Sequence, residues 1–285
     1  MLRLTRWRRP VFALLAAAVF AGCAGLDTLD AQQRRWIFNA RPLAAAPAEH
    51  APEEPGAVWI EHRSAESGTA IRLRGLWLPH ENPQAPVLLY LHGAGRSIDQ
   101  NPYRAEHMRR LGFSVFAIDY RGFGRSTPEL PSEAAVYEDA RAAWSWLSRQ
   151  APDKPRYLFG HSLGGAIAIQ LATEVPDAKG LIVEGTFTSI PEVFQTMKWG
   201  WLPVTAFITQ RFDSIGKIDK VKVPLLVVHG SRDGLIRPHL ARALYERART
   251  PKKFVLVEGG THYSTNAMGG SMYRQALREL FGLGS

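Results

Sequence analysis

Residues 157–165 read Tyr157-Leu158-Phe159-Gly160-His161-Ser162-Leu163-Gly164-Gly165, and this stretch decides the fold of the chain. A short apolar run leads into G-x-S-x-G, and a second apolar run with the composition of a helix follows. In a tight strand-to-helix turn the central residue is strained, and glycines on either side leave room for the neighbouring strand and helix. We therefore expect Ser162 at a sheet edge and a helix N-terminus, exposed as a nucleophile. A chance match is the alternative, because serine and glycine are common.

Apolar runs that alternate with helical patterns extend from this stretch in both directions. The runs cover residues 58–63, 70–78, 87–91, 114–118, 181–183, 225–228 and 254–257, and helices are expected near 103–111 and 132–149. The first two runs flank a turn and suggest an antiparallel pair, whereas the later runs are continuous, as in strands buried on both faces. This alternation predicts an α/β protein with a mostly parallel, doubly wound sheet and helices on both faces.

The first 23 residues have the pattern of an export signal. Four arginines precede the apolar run 11–20, which is shorter than the roughly 20 residues needed to span a membrane. The run ends in Phe20-Ala21-Gly22-Cys23, which resembles the lipobox of bacterial lipoproteins, although Phe20 stands where that family usually has leucine. The resemblance implies cleavage after residue 22 and acylation of Cys23. An ordinary signal peptide or an uncleaved anchor is the alternative.

This resemblance also implies a location. The protein is expected to be an extracytoplasmic, membrane-anchored lipoprotein of the bacterial cell envelope, on the periplasmic side, and Ala24 after the cysteine favours the outer membrane. Residues 23–56 are rich in alanine, proline and charge and are expected to form a tether, except that residues 34–38 suit a helical end packed on the body. The catalytic domain is expected to span residues 57–285.

Charge and cysteine content exclude several classes of protein. The 285-residue chain carries a formal charge of +9, which falls to +5 without the four arginines of the signal. No basic run is interleaved with aromatic residues, so nucleic acid is not an expected partner. Cys23 is the only cysteine, which excludes an intramolecular disulfide.

Polar residues follow two of the later predicted strands. Asp233 comes after the run 225–228, and His262 comes after the run 254–257. Carboxyl ends of parallel strands meet at one edge of the sheet, where active sites of open α/β sheets lie. Since a serine needs a base to become nucleophilic, we expect His262 to accept the proton of Ser162 and Asp233 to orient the imidazole. His161 is a rival base, expected to point away across the turn, and Glu184 is a rival acid.

An oxyanion hole needs two backbone N–H groups near the serine. Leu163 follows the nucleophile and supplies the first. The second is expected from Ala94, in the glycine-rich turn after the run 87–91. For His92, in the same turn, we expect a structural role, and the loop 119–126 is expected to shape the site without direct catalysis.

The motifs together resemble the α/β-hydrolase superfamily. Those that carry the likeness are His92-Gly93, the loop 119–126, residues 160–165, His229-Gly230-Ser231-Arg232-Asp233 and Thr261-His262. The order serine, aspartate, histidine is the order found in that superfamily. The combination is similar to ABHD-type serine hydrolases, which include lysophospholipases and protein depalmitoylases, and to S9-like hydrolases, although Ala94 replaces a frequent asparagine. The resemblance covers residues 58–281 and implies hydrolysis of an ester, thioester or amide without metal or cofactor.

The resulting hypothesis is a serine hydrolase that cleaves carboxylic esters, possible substrates being small or lipid esters. A peptidase or amidase of S9-like type is the first alternative, and a non-catalytic binding lipoprotein on a hydrolase fold is the second. The resemblance implies that residues 186–222 form a cap between the sixth and seventh strands. Trp199 and Trp201 are expected to line an acyl pocket there, with a preference for short to medium acyl chains. The alternative for these aromatic residues is simple packing on the body.

Overall fold

A computed structural model describes residues 28–40, 55–100, 102–197, 200–202 and 205–283. The predicted export signal, Cys23, most of the predicted tether and Trp199 lie outside these ranges. The helices and strands that follow are numbered in chain order.

One sheet of eight strands forms the centre of the molecule, in the order β1-β2-β4-β3-β5-β6-β7-β8. The strands are β1 Ala57–Arg63, β2 Ala70–Leu78, β3 Val87–Leu91, β4 Ser114–Ile118, β5 Arg156–His161, β6 Gly180–Glu184, β7 Leu225–Gly230 and β8 Lys252–Val257. β1 pairs with β2 and β2 with β4 in antiparallel fashion, and the remaining pairs are parallel. The predicted fold class is confirmed.

Helices cover both faces of the sheet. They are α1 (residues 28–38), α2 Tyr103–Arg110, α3 Glu133–Gln150, α4 Leu163–Ala172, α5 Ile190–Gln195, α6 Pro238–Arg247, α7 Thr265–Met268 and α8 Gly270–Phe281. One apolar core joins the sheet to α1, α3, α4 and α6, and a second core joins the other face to α2 and α8. Strands β3, β4, β6 and β7 are buried along their whole length, which explains their continuous apolar sequences.

The insertion between β6 and β7 contains α5 and two short 3₁₀ helices, Thr205–Phe207 and Ile218–Lys220. It occupies the place predicted for the cap. Ser189 caps the N-terminus of α5 by accepting a hydrogen bond from the Glu192 N–H, so this helix has a defined start even though it is short.

α1 packs on the body of the domain. Ile37 and Phe38 belong to the larger apolar core, and Phe38 contacts the ring of Phe212 edge to face. The Arg34 guanidinium donates to the Pro131 carbonyl oxygen at 2.9 Å. The domain boundary predicted at residue 57 leaves α1 outside the domain, whereas residues 28–38 pack against its core. Within this segment, the sequence analysis expected packing for residues 34–38 alone.

Candidate active site

Ser162 lies between the end of β5 and the start of α4, in a backbone conformation that residues other than glycine rarely adopt. Its φ is +55° and its ψ is −121°. The Ser162 N–H donates to the Glu184 carbonyl oxygen of β6 at 2.9 Å, and the Ser162 carbonyl accepts from the Gly165 N–H at 2.9 Å. These bonds hold the strained conformation in place, as is typical of functional sites.

Close packing explains the glycines around this turn. A Cβ atom at Gly164 would overlap the carbonyl oxygen of Leu91 in β3, and one at Gly160 would overlap the carbonyl oxygen of Gly164. A Cβ at Gly93 would lie 3.0 Å from the Cβ of Ser162. The sequence expectation that Gly160 and Gly164 provide space for the turn agrees with these contacts.

Three polar side chains form a hydrogen-bonded line at the C-terminal edge of the sheet. The Nε2 atom of His262 lies 3.0 Å from the Oγ of Ser162, and its Nδ1 lies 2.8 Å from the Oδ2 of Asp233. Asp233 and His262 are buried. Because Nδ1–H donates to the carboxylate, the neutral imidazole presents Nε2 as an acceptor toward the serine hydroxyl. The structure thus brings together the three residues that the sequence predicted to act together.

The carboxylate of Asp233 is held in its ionised form. Its Oδ1 accepts hydrogen bonds from the N–H groups of Leu235 and Ile236, at 2.9 and 2.8 Å. Burial alone would raise the pKa of Asp233, but hydrogen bonds from His229 and His262 outweigh burial and hold this pKa well below its ordinary value. Asp233 therefore stays ionised at neutral pH, where the His262 imidazole needs a negatively charged partner.

His229 supports Asp233 from the end of β7, and the sequence analysis gave it no role. Its Nε2 lies 2.9 Å from the Ile236 carbonyl oxygen and 3.4 Å from the Oδ2 of Asp233. The ring is fully buried. Its position four residues before the aspartate was visible in the sequence, but nothing there indicated that the loop would fold back over it.

Glu184 does not contact the His262 side chain, although the sequence analysis considered it as a rival acid. Its Oε1 accepts from Nε of Arg104 at 3.0 Å in a fully buried ion pair, and its Oε2 accepts from Asn266 and Tyr273. Arg104 in turn donates through NH2 to the backbone carbonyl of His262 at 3.1 Å. The pair therefore fixes the loop that carries His262. Sequence reasoning missed Arg104, which lies 80 residues from its partner.

His161, the rival base, lies beside His262, whereas the sequence analysis expected it to point away across the turn. The two ring centroids are 4.9 Å apart, and His161 Nε2 is 3.2 Å from the His262 carbonyl oxygen. Burial, with the nearby charge of Arg104, holds the pKa of His161 well below its ordinary value, so the ring is neutral. Its Nε2–H donates to the His262 carbonyl oxygen and so positions His262, and its lowered pKa makes it a poor base.

The turn after β3 forms the wall opposite Leu163. Ala94 lines the same space as Ser162, and its neighbour Gly95 donates its N–H to the Phe38 carbonyl of α1 at 2.9 Å. Neither the Ala94 nor the Leu163 N–H has an acceptor within the part of the chain that the structure describes. Both N–H groups are thus free of other acceptors among the described residues, and their role in an oxyanion hole stays a prediction.

His92 and Asp119 are structural in this arrangement. His92 is buried, its Nδ1 lies 2.7 Å from the Gly93 carbonyl oxygen, and its ring packs against Tyr120 and Phe123. Asp119 accepts from the N–H of Ile98 at 2.7 Å. These contacts shape the loops beside the serine, as expected from the sequence.

Two kinds of space meet at Ser162. A polar cavity of about 310 Å³ lies on one side, lined by Asn39, His92, Arg96, Arg104, His262 and Tyr263 among others. An apolar cavity of about 150 Å³ lies on the other, and a further apolar cavity of about 330 Å³ continues from it. The two apolar cavities share Trp36, Ile37, Ile190 and Phe194 in their walls. We call them together the apolar groove.

The walls of the apolar groove differ from those that the sequence predicted. Trp201 is 74% exposed and is not among the groove residues, so its expected place in the acyl pocket is wrong. Trp199 lies outside the described residues. α1 supplies one wall through Trp36 and Ile37, and the cap supplies the other through α5 and Phe207.

Within the described ranges, no group of three or more histidine, cysteine, aspartate or glutamate side chains is arranged to hold a metal ion. None of the helices in these described ranges is long and apolar enough to cross a bilayer.

Comparison with known proteins agrees with this architecture. The family model Hydrolase_4, described as serine aminopeptidase, S33, matches residues 82–217. An uncharacterized protein of Mycobacterium tuberculosis is 33% identical over 275 residues, covering 94% of this chain and 93% of that protein. The rat lysophosphatidylserine lipase ABHD12 is 32% identical over 189 residues, covering 59% of this chain and 47% of the lipase, so the chain spans about half of that relative's length.

Among solved structures, the esterase Est1E of Butyrivibrio proteoclasticus with bound ferulic acid superimposes with a TM-score of 0.65 at 20% identity. The superposition covers 79% of this chain and all of the esterase chain. This likeness supports the fold. With the relatives and the family model, it shows that the chain belongs to the α/β-hydrolase superfamily of serine hydrolases.

Proposed function

We propose that the protein hydrolyses carboxylic esters through an acyl-enzyme formed on Ser162. The observation that carries the proposal is the line from Ser162 Oγ through His262 to Asp233, with distances of 3.0 and 2.8 Å, at the junction of a polar cavity and an apolar groove. Such a line activates a serine that is otherwise a weak nucleophile.

The steps follow from the positions of these groups. His262 Nε2 takes the proton as Oγ attacks the ester carbonyl carbon, and Asp233 stabilises the imidazolium. The N–H groups of Ala94 and Leu163 bind the oxyanion, helped by the N-terminus of α4. His262 then protonates the leaving alcohol. In the second half of the reaction His262 takes a proton from water as the water attacks the acyl-enzyme, and it returns the proton to Ser162 Oγ as the acid leaves.

The two spaces beside Ser162 suit the two halves of an ester. The apolar groove offers a path for an acyl chain, since each buried methylene contributes about 0.8 kcal/mol. The polar cavity receives the alcohol part. Because the groove continues beyond the first cavity into a second one that shares Trp36 and Phe194 in its wall, we propose an acyl chain longer than the short to medium chains first expected from the sequence.

The charge of the polar cavity argues against an aminopeptidase. Such an enzyme must bind a cationic α-amino group, for which carboxylates are the usual partners, yet the described lining of this cavity contains no aspartate or glutamate. It contains Arg96, and also Arg104, whose charge is balanced by buried Glu184. An anionic or neutral alcohol fits better. The ABHD12 relative is named as a lipase of lysophosphatidylserine, a single-chain ester with an anionic head group, which agrees with this assignment. Thioesters share the acyl half and stay within the proposal.

A substrate panel tests the proposal directly. p-Nitrophenyl acyl esters of increasing length, an acyl thioester, a lysophospholipid and aminoacyl p-nitroanilides are offered to the purified protein, with fluorophosphonate labelling measured in parallel. Turnover of esters above anilides, with labelling at Ser162, is expected. Labelling with turnover of anilides alone would establish the amidase alternative, and neither labelling nor turnover would establish a binding protein.

We also propose that the protein is exported and anchored through Cys23 on the periplasmic side of a bacterial envelope. The support is the sequence alone: the basic start, the short apolar run and the small residues before the single cysteine. Two or three acyl chains hold a protein stably at a bilayer, whereas one holds it marginally. Intact-mass measurement should show a mature chain that starts at Cys23 with an acyl adduct, and an unmodified N-terminus would remove this proposal.

A further inference from the structure

Large apolar side chains are exposed where the apolar groove opens. Leu29 and Trp36 of α1 are 39% and 59% exposed, and Phe207 of the cap is 62% exposed, although all three line the groove. We call these three residues the apolar rim. Large exposed apolar groups gathered at one place mark an interaction surface.

Polar contacts hold the two sides of the rim together. Asp30 of α1 accepts from the Thr209 hydroxyl at 2.6 Å and from the Gln210 amide at 2.8 Å. Gln33 accepts from the Thr209 N–H at 2.9 Å and donates to the Phe207 carbonyl at 2.8 Å. The exposed side chains therefore belong to a built surface, since these four hydrogen bonds fix α1 against the cap.

Two exposed arginines accompany the rim. Arg35 precedes Trp36 on α1, and Arg211 follows Gln210, which is bonded to α1. Neither arginine forms an ion pair within the ranges that the structure describes. Aromatic side chains with neighbouring unpaired cations are the composition of protein surfaces that lie at the interface of an anionic bilayer.

We propose that the apolar rim docks on an anionic lipid surface, so that an acyl chain passes from the bilayer into the groove. The position of the rim in the chain supports this occupant. Cys23 precedes residue 28, where the described part of α1 begins, by five positions. Five residues reach at most about 17 Å, so an acylated Cys23 would keep α1 next to the membrane. The substrate in this inference depends on the proposed ester hydrolysis, whereas the docking surface depends only on the exposed side chains of the rim.

The consequence is a preference set by how the substrate is presented. A single-chain ester embedded in an anionic bilayer would move along a continuous apolar path from the rim to Ser162. A water-soluble ester with a short acyl chain reaches Ser162 without using the rim. A change beside the rim that does not touch the groove, such as at Arg35, should therefore affect the first substrate and spare the second.

The test compares hydrogen exchange and turnover on the full chain. The purified protein is bound to vesicles of phosphatidylcholine with phosphatidylglycerol, and exchange is followed in residues 28–38 and 205–211, with α6 as an internal reference. We expect slower exchange in both segments on these vesicles and no change in α6. If flotation shows that the protein is bound but exchange is unchanged in both segments, the proposal is overturned. The lipid anchor at Cys23 would then account for all of the binding.

Charge-reversal variants sharpen the test. Arg35→Glu should lower turnover of a vesicle-embedded lysophospholipid about tenfold, as expected for a reversed charge at an anionic surface. Its kcat/KM for soluble p-nitrophenyl butyrate should stay within the error of the wild type. Arg278→Glu is the matched control, because Arg278 is an exposed residue of α8 on the opposite face of the sheet, and it should leave both rates unchanged. Equal losses in the two variants would overturn the proposal.

The outcomes separate this inference from the proposed function. Protein that hydrolyses p-nitrophenyl butyrate but shows no protection on vesicles retains the enzyme and loses the docking surface. Protein that is protected on vesicles but hydrolyses no ester retains the surface and loses the proposed activity. Protection of residues 28–38 that grows with protein concentration in the absence of lipid would identify a second copy of the chain as the occupant, and would overturn the lipid assignment.

Discussion

The C-terminal edge of the sheet and the apolar groove meet at Ser162, but they are built in different ways. Ser162, Asp233 and His262 each follow a strand in the parallel part of the sheet, so backbone hydrogen bonds between neighbouring strands fix their relative positions. The groove is walled by α1, α5 and the segment around Phe207, which meet only through side-chain packing and a few polar contacts.

The difference indicates that reaction and selectivity are carried by separable parts of the molecule. Changes at the sheet edge should lower the rate for every substrate. Changes in the groove should alter the ranking of substrates and preserve the reaction. The predictions below test this separation, from the largest expected effect to the smallest.

Ser162→Ala should remove nearly all ester turnover without loss of fold. Loss of one member of such a triad typically costs about 10⁴-fold or more in kcat. The rate with p-nitrophenyl esters and the circular dichroism spectrum check the two halves of this expectation. A folded variant with near-normal turnover would show that the nucleophile lies elsewhere.

Asp233→Asn should lower kcat by about three to four orders of magnitude, because an amide favours the wrong imidazole tautomer. The variant also loses a carboxylate whose pKa is held below its ordinary value, which contributes stability above the unfolded pKa near 4 that is lost as the pH falls. The free energy of unfolding should therefore fall less steeply in the variant than in the wild type as the pH is lowered below about 4.

Glu184→Gln provides the comparison with Asp233→Asn. It leaves Arg104 buried without its charged partner, and removing one member of a buried pair costs about 3–5 kcal/mol of folding free energy. We expect a lower Tm and, in the fraction that stays folded, a kcat well above that of Asp233→Asn. The reverse order of kcat would make Glu184 the acid of the triad.

The same contrast explains how far the sequence could predict the structure. The apolar runs predict the strand positions, and the polar residues after two of them predict the order of Asp233 and His262. The glycines on either side of Ser162 predict the tight turn, because other residues would clash there. Arg104 could not be paired with Glu184 in advance, because the pair forms across 80 residues between a helix and a strand end. Local patterns carry no information on such a contact.

The groove was harder to predict for a related reason. α1 presents few apolar residues in a segment rich in alanine and proline, and its burial depends on Ile37 and Phe38 finding the core beside Phe212. A short amphipathic segment has the same sequence pattern whether it docks or stays free. Likewise, the aromatic content of the cap did not distinguish groove residues such as Phe194 from exposed ones such as Trp201.

Phe194→Ala should change substrate ranking without removing activity. Phe194 lines both parts of the apolar groove, and the loss of its contact with a long acyl chain is worth about 1–2 kcal/mol, or roughly tenfold in kcat/KM. The ratio of kcat/KM for p-nitrophenyl decanoate and butyrate measures this loss. Phe281→Ala, which removes a phenyl ring that packs on the opposite face, should leave the ratio unchanged. Equal changes in both variants would assign the effect to general loosening of the fold.

Trp201→Ala should have the smallest effect, and it separates the groove from the surface around it. Because Trp201 is 74% exposed and lies outside the walls of the groove, its removal should leave the chain-length profile for soluble esters unchanged. A sequence-based interpretation placed Trp201 in the acyl pocket and would require a shifted optimum. The ratio of kcat/KM for decanoate and butyrate esters decides whether Trp201 lies inside or outside the acyl pocket. Phe194→Ala is the positive control, in which this ratio should change. A shift in Trp201→Ala of the size seen in Phe194→Ala would mean that the cap closes over the groove when substrate binds, bringing Trp201 against the acyl chain.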